Sequence, residues 1–197
     1  MSTTTRDRIL DEAMRLFSEQ GYAGTSVARI EAAAGLTPGA GGFYHHFQSK
    51  EAALAAGVER HLDRLGALRD IQRVLTPLGD LKAELTLIAR YILTELDSEA
   101  ELLRILAAEA RNRPEILTKA VDQLVDSTFQ GFAAWVEERA QGSSDVRALA
   151  AIGLGSLLST RLLRDVLGAR AQVEDTALVE TWVELMAAKL EEWTPTN

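Results

Sequence analysis

The sequence contains no cysteine, which excludes disulfide bonds and thiolate metal sites. A chain without these groups is compatible with the reducing cytosol. Its N-terminal residues lack the apolar stretch of a signal peptide, and no run approaches the roughly 18 consecutive apolar residues of a membrane span. We therefore expect a soluble, cytoplasmic protein with no membrane partner.

Proline is scarce, and the alternation of β-branched residues that marks strands is absent. Only four prolines occur in 197 residues, whereas apolar residues recur at helical spacing through most of the chain. This spacing predicts four helices before residue 65 and further helices near 79–96, 99–111, 114–140, 144–168 and 173–193. The predicted fold class is all-α, with an N-terminal helix-turn-helix domain followed by a helical bundle.

Basic residues are too few to give the chain a positive charge, and its net charge is −8. Residues 1–64 hold seven Lys or Arg and eight Asp or Glu, a net charge of −1, together with all three histidines. Residues 65–197 carry the remaining −7. The acidity opposes binding to a polyanion, but it belongs to the second part of the chain. We therefore expect two domains, 1–64 and 65–197, with different functions.

The first domain has the proportions of a helix-turn-helix unit. Thr25 or Ser26 can cap a short helix over VARIEAAAG, which ends at Gly35. The tight turn at residues 35–37 then leads into a third helix. In units of this kind, the helix after the turn lies in the DNA major groove.

That third helix opens with a glycine run, TPGAGG at residues 37–42. Each glycine inside a helix costs about 1 kcal/mol of stability relative to alanine, so several glycines at the start of a helix suggest a functional role. A helix capped by Thr37, with Pro38 at its first position, would bring bare backbone and free N–H groups close to a phosphate. The alternatives are a glycine-rich linker, or a turn after which the helix starts later, near Phe43.

The residues around this run resemble the DNA-binding domain of the TetR family of bacterial repressors. The resemblance covers residues 5–54 and rests on the opening RIL..A..LF...GY..TS, on I..AAG in the second helix, and on G...FY.HF.SKE. It implies a homodimer whose C-terminal helices form a dimer interface and an effector pocket. Two departures stand out: an insertion of two residues, identified as Gly41-Gly42, and the apolar Val27 and Ala28 where the second helix often offers polar contacts.

The resemblance and the local chemistry together predict a set of DNA contacts. Tyr44 matches a position that contacts a phosphate or a base edge in the family, with packing as the alternative. Lys50 is expected to meet a phosphate, with a solvated lysine as the alternative, and His45 is expected to contact a phosphate or water. His46 and Phe47 are expected to pack. The predicted DNA contacts are Thr25, Ser26, Arg29, Thr37, Pro38, Gly39, Ala40, Gly41, Gly42, Tyr44, His45 and Lys50.

Neither a metal site nor an enzyme active site is predicted. His45 and His46 are adjacent, so their side chains diverge on a helix, and His61 lies a helix away. No nucleophile–histidine–acid set, phosphate-binding loop or paired-carboxylate motif is recognisable. We therefore expect no catalytic residues, no bound metal and no cofactor.

Long helices of mixed apolar content make up the second domain. Such helices pack into bundles and can leave a ligand cavity between them. A hydrophobic cavity with few charges would suit a small lipophilic or aromatic effector, and ordinary core packing is the alternative for each residue. The predicted lining consists of Tyr91, Phe129, Phe132, Trp135 and Thr160.

A stripe of small residues marks a candidate dimer interface. Ala151, Gly155 and Ser159 recur every four residues, and small side chains let another helix approach closely. Two such helices from each subunit would form an isologous interface, which a pseudo-palindromic operator requires. Packing inside one chain is the alternative. The other predicted interface residues are Leu158, Leu162, Leu178, Trp182, Leu185 and Met186.

These patterns predict a ligand-responsive transcriptional regulator, a repressor that an effector releases from its DNA operator. The competing hypothesis is a helical small-molecule-binding protein that keeps this fold without using it on DNA.

Overall fold

The computed structural model describes residues 4–74, 79–140, 145–170 and 173–193, with side chains described outside 64–74, 119 and 123–128. All secondary-structure elements in these ranges are helical, which confirms the all-α prediction. A one-turn 3₁₀ helix, Gly42–His45, precedes the third α-helix, and a π-helical turn, Leu162–Val166, follows the seventh. The α-helices are α1 (Thr5–Gly24), α2 (Val27–Ala33), α3 (Lys50–Val74), α4 (Leu81–Ser98), α5 (Ala100–Glu109), α6 (Pro114–Arg139), α7 (Val146–Arg161) and α8 (Asp175–Trp193).

The chain forms two compact units. The first comprises Met1–Ala67 and Glu101–Gln123, and the second comprises Leu68–Ala100 and Leu124–Asn197. The first unit therefore contains α5 and the beginning of α6 as well as the helix-turn-helix segment. The sequence-based boundary at residue 64 stays a prediction about where one function ends and the other begins.

Local hydrogen bonds determine where the first helix begins. The Thr4 side chain accepts a hydrogen bond from the Asp7 amide (3.1 Å), and the Asp7 carboxylate accepts one from the Thr4 amide (3.3 Å). This reciprocal cap satisfies amide groups that have no partner within the helix. One face of α1 is buried in the first unit, and its buried residues include Ile9, Leu10, Ala13, Met14, Leu16 and Phe17.

The limits of α2 and the start of α3 also follow from short-range contacts. Ser26 caps α2 by accepting a hydrogen bond from the Arg29 amide (3.3 Å), and Ser49 caps α3 through the Ala52 amide (3.1 Å). Gly35, with φ of +72°, ends α2 in the left-handed conformation common at helix C-termini. The sequence-based predictions for Ser26 and Gly35 are confirmed.

Aromatic side chains form the centre of the second unit. The Phe132 ring lies 5.9 Å from the ring centroids of both Trp135 and Trp182. The buried Trp182 indole donates a hydrogen bond to the Gly153 carbonyl (2.9 Å), which satisfies its polar atom within the core. Gly153 thus lets α7 lie close to α8.

A buried arginine joins α7 to the end of α4 and the start of α8. The side chain of Arg161 is 3% exposed and pairs with Asp97 (2.9 Å) and Asp175 (2.6 Å). Both contacts involve two guanidinium nitrogens, the geometry that best matches a carboxylate. The hydrogen bonds from Arg161 lower the pKa of Asp175 below its ordinary value.

One apolar helix departs from the sequence expectation. The stretch Val146–Val166 is long and apolar enough, by length and composition alone, to cross a membrane, although the sequence analysis expected no such segment. A single helix of this kind is weak evidence for a span, because helices in water-soluble proteins pass the same test. Only 28% of its apolar window is buried within the chain.

Candidate nucleic-acid interface

The glycine run forms a turn, not the start of a helix. Residues 37–41 are non-helical, and the 3₁₀ helix begins only at Gly42. Gly39 and Gly41 have φ values of +77° and +81°, which L-residues with a side chain rarely adopt. The prediction of a helix starting at Thr37 is therefore wrong, and the alternative of a turn with a later helix start is confirmed.

A carboxylate that the sequence analysis did not single out lies under this turn. Glu31 is 1% exposed, and its two oxygens accept hydrogen bonds from the amides of Gly39 (2.6 Å) and Phe43 (3.0 Å). These two N–H groups are therefore not free for a phosphate, contrary to the expectation from the glycine run. The hydrogen bond from Phe43 lowers the pKa of Glu31, with a smaller contribution from Gly39, although burial alone would raise it.

The aromatic residues after the turn alternate between the interior and the surface. Phe43 and Phe47 are 0% and 5% exposed, with ring centroids 5.6 Å apart. Tyr44 is 59% exposed, so the buried phenylalanines hold its phenol at the surface. His45 is exposed beside it. His46 is exposed too, so the expectation that it packs is wrong, whereas the one for Phe47 is confirmed.

Two predicted phosphate ligands have partners inside the chain. The Thr25 hydroxyl is buried and donates to the carbonyls of Leu16 (3.1 Å) and Gly21 (2.9 Å). The Lys50 ammonium donates to the carbonyl of Tyr22 and to that of Thr25, both at 2.7 Å. Burial lowers the pKa of Lys50. Both side chains therefore stabilise the end of α1, because the last carbonyl groups of a helix have no hydrogen-bond donor within the helix itself.

The other predicted DNA contacts lie at the surface near the turn. Ser26 and Arg29 are exposed at the start of α2. Thr37, Pro38, Gly39 and Ala40 are exposed in the turn, and Gly41 and Gly42 are half-buried. The first unit thus brings together the start of α2, the glycine turn and the Tyr44–His45 pair.

The two glycines of the insertion should respond differently to an added methyl group. Gly41→Ala places an L-residue at a φ of +81°, so we expect it to destabilise the protein by about 1–2 kcal/mol. Gly42 does not have positive φ, and a Cβ there would lie 3.3 Å from the flexible end of Leu36, so Gly42→Ala should change stability by less than about 0.5 kcal/mol. Thermal melts of the two variants measure the difference. Equal stabilities would contradict the left-handed turn.

In the second unit, the predicted effector residues surround the aromatic core. Tyr91, Phe129 and Trp135 are partly buried against it, and Phe132 belongs to it. The Thr160 hydroxyl donates to the Leu157 carbonyl of its own helix (2.8 Å). Their role in effector binding stays a prediction.

The predicted dimer residues fall into two groups. Ala151, Gly155 and Ser159 are exposed along α7, and Leu185 on α8 is 68% exposed. Leu158, Leu162 and Leu178 are half-buried. Trp182 and Met186 are buried within the second unit. These last two side chains pack inside the chain, which is the alternative that the sequence left open for them.

No group of three or more His, Cys, Asp or Glu side chains suited to a metal ion occurs among the residues described above.

The N-terminal part of the chain is similar to a known family of proteins. Residues 9–56 match the model for bacterial regulatory proteins of the tetR family. Over 78 residues, 40% of its length, the chain is 35% identical to the HTH-type transcriptional repressor Rv1474c of Mycobacterium tuberculosis, and the match spans 41% of that repressor. The sequence-based predictions of the family, and of a regulator instead of an enzyme, are confirmed.

Solved structures share the fold over nearly the whole chain. A transcriptional regulator (TerR/AcrR family) from Aquifex aeolicus VF5 matches with a TM-score of 0.66 and 27% identity, covering 94% of this chain and 99% of that one. The fatty acid degradation regulator FadR from Bacillus halodurans matches with a TM-score of 0.68 and 19% identity, covering 94% of this chain and 96% of that one.

Proposed function

We propose that this chain, whose residues 9–56 match the model for bacterial regulatory proteins of the tetR family, is a cytoplasmic transcriptional repressor that binds a pseudo-palindromic operator as a homodimer. A small lipophilic or aromatic effector releases it from the DNA. The observation that carries this proposal is the exposed Tyr44, held at the surface by the buried Phe43 and Phe47 directly after the glycine turn.

The surface around Tyr44 suits a DNA backbone. Arg29 supplies a positive charge, and Ser26 and Thr37 supply hydroxyl groups, all of them exposed. Phosphate contacts of this kind position a protein on the duplex, while base contacts give sequence preference. Since few polar side chains reach out from the glycine turn, DNA shape contributes to specificity beside Tyr44 and His45. Thr25 and Lys50 support this surface from inside the chain.

The exposed face of α7 supports the dimer. Among the described residues, the stretch Val146–Val166 is long and apolar enough to pass the composition test for a membrane span, yet only 28% of its apolar window is buried. Ile152, next to Ala151 of the small-residue stripe, is 70% exposed, and Leu185 on α8 is 68% exposed. A second copy of the chain would cover these apolar side chains, and an isologous interface places two recognition surfaces on one operator.

Two neighbouring glycines of α7 test the dimer. A Cβ on Gly155 meets nothing within 4 Å, whereas one on Gly153 lies 3.1 Å from Met186 and 3.2 Å from Phe132. We expect Gly155→Leu to leave the folded chain intact and to weaken dimerisation. Gly153→Leu, the matched control, should destabilise the fold by about 1–3 kcal/mol through overpacking. Analytical ultracentrifugation and thermal melts separate the effects. A Gly155→Leu dimer as tight as wild type would place the interface elsewhere.

The aromatic cluster of the second unit supports an apolar effector. Tyr91, Phe129 and Trp135 border the core formed by α4, α6, α7 and α8. Aromatic and aliphatic linings bind ligands mainly by removing apolar surface from water. An effector that binds one arrangement of these helices better than another would shift the dimer away from its DNA-binding state.

Two observations favour the competing function, a helical small-molecule-binding protein that does not use DNA. The chain is acidic, and Lys50 and two amides of the glycine turn already have partners within it. Selection of binding sites from random duplex DNA by the purified protein decides between the two. Enrichment of an inverted repeat supports the repressor, and a pool that stays random after repeated rounds rejects it.

A further inference from the structure

Glu31 connects the two ends of the glycine turn. Its carboxylate is buried beneath the turn, with Oε2 bound to the Gly39 amide (2.6 Å) and Oε1 bound to the Phe43 amide (3.0 Å). These amides lie 8 and 12 residues further along the chain. Hydrogen bonds from backbone N–H groups to a charged carboxylate are among the strong ones in proteins.

Packing contributes little at the two left-handed glycines of this turn. A Cβ built on Gly39 or on Gly41 would meet nothing within 4 Å, so no neighbouring atoms close around these two positions. Glycine also has more conformational freedom than any other residue, and the turn must hold two glycines at positive φ. The conformation therefore depends on hydrogen bonds, and those to Glu31 are the ones that anchor it to α2.

We propose that Glu31 is a positioning residue for DNA binding, because its buried carboxylate fixes the glycine turn and thereby the place of Tyr44 and His45. This inference rests on the proposed function. The carboxylate occupies from inside the amide groups that would otherwise bind a phosphate. The turn therefore meets DNA through its outer surface, and the two amides keep Glu31 as their partner in the complex.

Two variants of Glu31 test separately the negative charge and the length of its side chain. Glu31→Asp keeps the charge but shortens the side chain by one methylene, so it cannot span both amides in the same geometry. Glu31→Gln keeps the length, but its NH₂ group would face one of the donors. Glu59→Gln, at an exposed position of α3, is the control for removing one negative charge near DNA.

We expect both Glu31 variants to lower the affinity for the selected operator by about 10-fold to 100-fold, since a hydrogen bond to a charged group contributes on this scale. The affinity for an unrelated duplex should fall less, because the phosphate contacts of Arg29 on α2 give no sequence preference and do not depend on the place of Tyr44 and His45. Glu59→Gln should bind at least as tightly as wild type. A variant that merely unfolds in part would lose affinity for the operator and for the unrelated duplex by the same factor, and that result would overturn the inference.

A measurement on the wild-type protein tests the same inference without any variant, in case the Glu31 variants do not fold. Amide protons bound to a carboxylate resonate at low field, so Gly39 and Phe43 should do so in the free protein and keep these positions when the operator is added. Loss of the low-field shifts on DNA binding would mean that phosphates replace Glu31, and would refute the inference. Wild-type affinity in both Glu31 variants would refute it as well. Absence of any duplex binding by wild type would instead refute the proposed function.

Discussion

The affinity of the dimer for its selected operator should fall by about 10³-fold or more as salt rises from about 50 to about 200 mM. Each phosphate that the protein neutralises releases condensed counterions, and added salt opposes that release. We expect this effect although the chain carries a net charge of −8, because the net charge of residues 1–64 is only −1. Fluorescence anisotropy titrations over a series of salt concentrations measure the slope.

A pair of arginine variants tests whether the salt dependence of the affinity arises from the proposed DNA-contact surface. Arg29→Ala removes an exposed cation at the start of α2, and should reduce the slope of log affinity against log salt by about one. Arg90→Ala removes an exposed cation from α4 in the second unit and should leave the slope unchanged. Affinity that does not depend on salt, or equal slopes for the two variants, would contradict phosphate contacts at Arg29.

The adjacent residues Phe43 and Tyr44 should give opposite results when each is changed to alanine. Phe43 is fully buried, so we expect Phe43→Ala to lower the free energy of unfolding by about 3–5 kcal/mol. This is a large share of the 5–15 kcal/mol that is typical of folded domains. Tyr44 is 59% exposed, so Tyr44→Ala should change stability by less than about 0.5 kcal/mol while weakening operator binding.

Chemical denaturation and operator titration of both variants test this contrast. Because the two positions are neighbours in one 3₁₀ helix, any general disturbance of that helix would affect both variants alike. Stability that falls equally in the two variants would mean that Tyr44 also packs. Operator affinity that is unchanged in Tyr44→Ala would remove this residue from the DNA-contact surface.

Local sequence patterns predicted the helical elements and several of their limits. Ser26, Gly35 and Ser49 act on amides or carbonyls within a few residues, so their roles can be predicted from local pattern. The order of these elements, with the residues around Tyr44, also sufficed to identify the family. Phe47 was assigned to the core correctly because a phenylalanine at helical spacing has few other stable environments.

The hydrogen-bond partners of the residues in the candidate site could be seen only in the folded chain. Glu31, Lys50 and Thr25 bond to groups 8 to 28 residues away or within buried turns, and no local pattern specifies such partners. The glycine run could not be assigned from propensity, because glycine is compatible with both a helix and a left-handed turn. In the second unit, the helical spacing of Trp182 and Met186 fitted an interface as well as a core. Their burial depends on which helices pack around them, which is a property of the assembled fold.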